Sequence, residues 1–146
     1  MKRSKRLQVV LDLAERKRKQ ADQWLSQAQG KVQQGEGTLA QLQGYYTDYA
    51  NNFYQVGASG ISPGQIHTHQ AFMQKLRVAV EQQENALRID REQLERVTAH
   101  WQSAYQHFKS VEMLVDKLKG QESKEADRQL QKELDERSQL IRPPLI

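Results

Sequence analysis

With 146 residues, 37% of them hydrophobic and 27% charged, the chain is too polar for a wide globular core. It suits helices that each bury a single apolar stripe. The lack of cysteine excludes a disulfide framework and thiolate metal sites, and no apolar run approaches the roughly 20 residues of a membrane span. No apolar segment follows the basic N-terminus as in a signal peptide, so a soluble, cytoplasmic protein is expected.

The net charge of +4 is concentrated at the start of the chain. Lys2, Arg3, Lys5 and Arg6, then Arg16 to Lys19, stand against only Asp12 and Glu15. Such a run reads either as a solvated helix surface or as a positive tip for an acidic partner or nucleic acid.

A first helix is expected over about 4–54. Its apolar positions step by alternating threes and fours: Leu7, Leu11, Ala14, Arg18, Ala21, Leu25, Ala28, Val32, Gly35, Leu39, Leu42, Tyr46, Tyr49 and Phe53. That is the heptad period of helices supercoiled on a partner. Arg18 falls on this seam, where its stem can pack while the guanidinium reaches water. Of the mid-helix glycines, Gly35 is the one that permits close approach of a facing side chain.

The segment 55–62 is a glycine-rich loop. It lacks the Lys-Ser/Thr ending of a phosphate-cradling loop and follows a helix, so it is not a nucleotide site. Ser62, Pro63 and Gln65 form a helix start: a serine N-cap, a proline at the first helical position, and a glutamine three residues on. A second helix is expected over about 63–118. Its seam is His69, Met73, Leu76, Val80, Gln83, Leu87, Asp90, Leu94, Val97, Trp101, Ala104, Phe108, Val111 and Val115. Gly120 is a candidate stop or hinge. The tail 119–146 is either a charged helix through Gln139, with its own small stripe of Ala126, Leu130 and Leu134, or mobile, and Pro143–Pro144 forbid a helix at the end.

Folding the chain at Ile61 pairs small residues with large ones: Ala14 with Phe108, Ala21 with Trp101, Ala28 with Leu94, and Gly35 with Leu87. This complementarity is what dense antiparallel packing needs. Two parallel copies of the first helix would stack alanine on alanine and Arg18 on Arg18. The expected fold is therefore all-α, a single elongated domain formed by one long antiparallel coiled-coil hairpin with an overhanging tail.

Catalytic and metal chemistry find no support. His67 and His69 point away from each other on a helix, and His100 and His107 lie two turns apart. No nucleophile–histidine–acid set is present, and neither an enzyme nor a cofactor is expected. What remains is surface. One flank of the seam is polar, with Tyr105 as its main exception. The other carries Val10 with Leu114, Trp24 with His100, Tyr45 with Ala79, and Phe72. Aromatics just outside a completed seam either widen the core or await a partner.

The stretch Leu42–Phe53 with Tyr45, Tyr46 and Tyr49, the glycine loop, the stretch His69–Val80 and the later Gln131–Glu136 together resemble the flagellar export protein FliJ family. The resemblance spans nearly the whole chain. It implies a cytoplasmic, non-enzymatic component of the flagellar type III export apparatus, similar to the central stalk of rotary ATPases and peripheral to the inner membrane through its partners, with no membrane insertion. The implied partners are the export ATPase ring, the export gate protein FlhA and substrate-specific export chaperones. By the same resemblance the gate-contacting surface falls on Leu42, Tyr45, Tyr49, Phe72, Leu76, Ala79 and Gln83. The ring-entering end falls on Lys2, Arg3, Lys5, Arg6, Val10, Leu114, Leu130 and Leu134. The alternatives are the equivalent stalk of a virulence type III secretion system, a basic coiled coil that binds nucleic acid, and a plain structural scaffold. Only Trp24 lies near the basic cluster and no stacking platform is visible, so no nucleic-acid partner is expected.

Overall fold

The computed structural model describes residues 2–57 and 60–141. It contains two helices, α1 (Arg3–Gly57) and α2 (Pro63–Ile141), packed against each other as an antiparallel hairpin, with no strand among the described residues. The expected fold class is the one observed.

The chain divides into two compact units, Met1–Gln20 with Gln102–Ile146 and Ala21–Trp101. In the second unit, Ala21, Ala28, Val32 and Gly35 of α1 are buried, as are Met73 and Leu87 of α2. Gly35 allows a close approach: a Cβ there would lie 3.0 Å from Leu87 Cδ1. Leu87, 1% exposed, fills the space that the glycine leaves open. The Gln83 side-chain amide donates to the Gly35 carbonyl at 3.3 Å, which satisfies a polar group placed on the seam. On the polar flank, the Trp101 indole N–H donates to Asp22 at 2.6 Å and Arg91 pairs with Glu36 at 3.2 Å.

In the first unit the same rule holds with smaller residues on α1. Ala14 is buried, and so are Phe108, Val111, Val115 and Leu118 of α2. The half-buried Arg18 places its guanidinium 4.9 Å from the centre of the Phe108 ring, so its charge is held over an aromatic face.

Three expectations change at the ends of the elements. First, α1 continues to Gly57 instead of ending near 54. The turn is then made by Gly60, whose φ of +94° is the left-handed conformation a glycine tolerates, with its N–H donating to the Gly57 carbonyl. Ala58 and Ser59 of the loop lie outside the described residues. Second, the candidate stop at Gly120 is not used: the tail takes the helical one of its two readings, and α2 runs to Ile141. One glycine costs a helix about 1 kcal/mol, and the Glu, Lys, Gln, Arg and Leu residues after it are good helix formers that outweigh it. Pro143 and Pro144 lie outside the described residues. Third, the seam near the loop steps Tyr46, Ala50, Phe53, and Tyr49 is 47% exposed. The true helical period of 3.6 drifts from a strict 3.5, and an extra four-residue step absorbs that drift.

Candidate protein-binding surfaces

The start of α2 shows how the loop end of the hairpin is built. The Ser62 hydroxyl accepts from the Gln65 N–H at 3.2 Å, and the Gln65 side chain accepts from the Ser62 N–H at 3.0 Å. This reciprocal capping box, with Pro63 behind it, launches α2. Phe53 of α1 then stacks on His69 of α2, ring centres 3.7 Å apart and nearly parallel.

Because the seam moves to Ala50, Tyr49 joins Tyr45 on the flank, one turn along. Tyr49 meets Phe72 of α2 with ring centres 4.6 Å apart and a 52° tilt. Tyr45, Tyr49 and Phe72 are 48%, 47% and 39% exposed. An open groove beside them is lined by Tyr49, Ser62, Gly64, Gln65, Thr68, His69 and Phe72. Of the other candidates for this surface, Leu42, Leu76 and Ala79 are half-buried, and Gln83 is turned inward to Gly35. The structure thus brings Tyr49 and Phe72 into contact, places Tyr45 on the same flank, and commits Gln83 to packing.

The second set of candidates lies in the other unit. Lys2, Arg3, Lys5 and Arg6 are exposed, as are Val10, Leu114, Leu130 and Leu134. The sequence pattern did not expose the feature that organises this end. Glu122 of α2 accepts from the Ser4 N–H at 3.2 Å and from the Ser4 hydroxyl at 2.6 Å. The first turn of α1 contains no acidic residue of its own, and its N-terminal N–H groups have no partner within the helix. A carboxylate from α2 therefore caps α1 and opposes the positive end of its dipole. The Ser4 hydroxyl, above all, holds the Glu122 carboxyl below the usual carboxylate range. Beyond Glu122, α2 carries Leu130 and Leu134 to Ile141, with every residue of 123–141 exposed.

Among the described residues no group of three or more histidines and carboxylates is placed to hold a metal ion. Among the described residues no helix is long and apolar enough to cross a membrane.

These features define a class: an antiparallel coiled-coil hairpin with aromatic side chains of the kind that anchor protein contacts displayed beside a complete seam. The family model described as Flagellar FliJ protein matches residues 3–141, and the chain belongs to that family. No curated protein and no solved structure gives a significant match. Family membership makes the chain a component of the flagellar type III export machinery.

Proposed function

We propose that this chain is the non-catalytic, stalk-like coiled coil of the export apparatus, working in the cytoplasm at the inner-membrane face. Its basic end, with Lys2, Arg3, Lys5, Arg6, Val10, Leu114 and the C-terminal leucines Leu130 and Leu134, engages the export ATPase ring. Its aromatic flank docks on the gate protein FlhA, and export chaperones are further clients. The observation that carries this reading is the exposed Tyr45, Tyr49 and Phe72 group beside a seam of half-buried Tyr46, Ala50 and Phe53 and buried Met73. Aromatic side chains in such a place supply rigid contact area to a partner. At the other end, several solvated cations make a screened, long-range contact that tolerates slippage inside a ring of polar loops.

The test is ATP hydrolysis by the cognate export ATPase with increasing amounts of this protein. Stimulation that saturates near one hairpin per ring, and is lost when Lys2, Arg3, Lys5 and Arg6 are changed together to glutamine, supports the stalk role. Unchanged hydrolysis at every ratio contradicts it.

A further inference from the structure

Trp24 is 42% exposed on the same flank as Tyr45, about 30 Å further along α1. Its ring lies 5.5 Å from that of His100. Two open grooves, of about 740 and 400 Å³, meet at Trp24, Gln93 and Val97. Ile89, 47% exposed, lines the second. Gly30 leaves the first open, since a Cβ there would meet nothing within 4 Å. The lining includes Lys31 and Arg96 and no carboxylate. Along α1 from Ala21 to Leu42 the acidic residues are Asp22 and Glu36, engaged by Trp101 and Arg91, and on α2 Glu92, one turn before Arg96, is paired with Arg88 at 2.8 Å. The patch is therefore apolar at its centre and cationic at its edge.

We infer that the Trp24 patch is a second docking surface, separate from the ring and gate contacts proposed above. Its occupant is an amphipathic helix of another protein whose apolar stripe is flanked by carboxylates. The indole, Ile89 and Val97 take the stripe, and Lys31 and Arg96 take the carboxylates. A second copy of this chain is the poorer fit, because a two-fold contact through the patch brings Lys31 and Arg96 of one copy against the same cations of the other.

The test uses the full chain and a labelled, stapled helical peptide of about 18 residues with a leucine stripe flanked by glutamates. A matched peptide carries lysines in place of the glutamates. Fluorescence anisotropy should show the acidic peptide binding at least about tenfold more tightly than the basic one, with Trp24→Ala weakening it by about tenfold or more. Lys31→Glu with Arg96→Glu should invert the preference between the two peptides. Gly30→Met, which improves helix propensity and has room at its Cβ, should block the groove while the helical circular dichroism stays intact. Equal binding of the two peptides, or binding unaffected by Trp24→Ala and Gly30→Met, overturns the proposal. So does concentration-dependent dimerisation that Trp24→Ala abolishes, which would assign the patch to a second copy.

Discussion

The two compact units solve the same packing problem with different residues, and the difference separates structure from function. In the unit that holds the chain's N-terminus, α1 contributes alanine and an arginine stem, and α2 supplies Phe108, Val111, Val115 and Leu118. Its exposed apolar residues are mainly aliphatic, among them Val9, Leu13 and Met113, and its exposed Tyr105 lies under the Lys109 ammonium, 5.8 Å from the ring centre. In the loop-bearing unit the seam runs from buried Ala21, beside the Trp101–Asp22 hydrogen bond, to Phe53 stacked on His69. There, however, Trp24, Tyr45, Tyr49 and Phe72 stand outside it. Large aromatics that a finished seam does not need are better explained by a partner than by stability.

The largest effect that would sharpen this contrast lies inside the seam. Leu87→Ala should cost about 3 kcal/mol in denaturant unfolding, because the side chain is fully buried against Gly35. Gly35→Ala gains about 1 kcal/mol of helix propensity but crowds Leu87. Its effect on stability should therefore be about 1 kcal/mol more favourable in the Leu87→Ala protein than in the wild type. Equal effects in the two backgrounds would deny the close approach. Ser62→Ala comes next, with about 1 kcal/mol lost as the capping box opens, read as a lower unfolding midpoint.

The flank should behave in the opposite way. Tyr45→Ala and Phe72→Ala should each change unfolding free energy by less than about 1 kcal/mol. A loss of several kcal/mol from either would make these rings part of the core.

The smallest effect belongs to the Ser4–Glu122 contact. The Glu122 carboxyl is held below its ordinary range in the folded protein, so its contribution is fully present at neutral pH. It should be lost as pH falls through that lowered value. Glu122→Gln should speed amide exchange at Ser4 and in the first turn of α1 near pH 7, and the difference from wild type should vanish in acid. Identical exchange at neutral pH would show that the cap is not formed.

Most of the hairpin was legible because its rule is local arithmetic: small residues at one seam position find large ones at the complementary number. Gly35 with Leu87 and the Ser62–Gln65 box could be read in this way. The rest depended on quantities that residue identity does not carry. Whether α2 survives Gly120 is a balance between one glycine and a following run of helix formers. Whether Tyr49 or Ala50 faces inward depends on accumulated drift between the 3.5 and 3.6 periods. That drift hid the contact of Tyr49 with Phe72, since periodicity placed Tyr49 in the seam. The Ser4–Glu122 contact joins residues 118 apart in the chain and replaces an ordinary local cap. Gln83 read as a seam position from periodicity and as a surface candidate from the resemblance; its amide donates to the Gly35 carbonyl, as a polar group on the seam requires.

The most direct test of the central claim is calorimetric binding of the water-soluble part of FlhA to the wild-type chain and to a Tyr45→Ala, Tyr49→Ala, Phe72→Ala triple variant, with both unfolding curves measured alongside. The account predicts that binding to the variant is weakened at least about thirtyfold while the unfolding midpoint stays close to wild type. Retained binding would contradict it, and so would a loss of binding that merely follows a loss of folding.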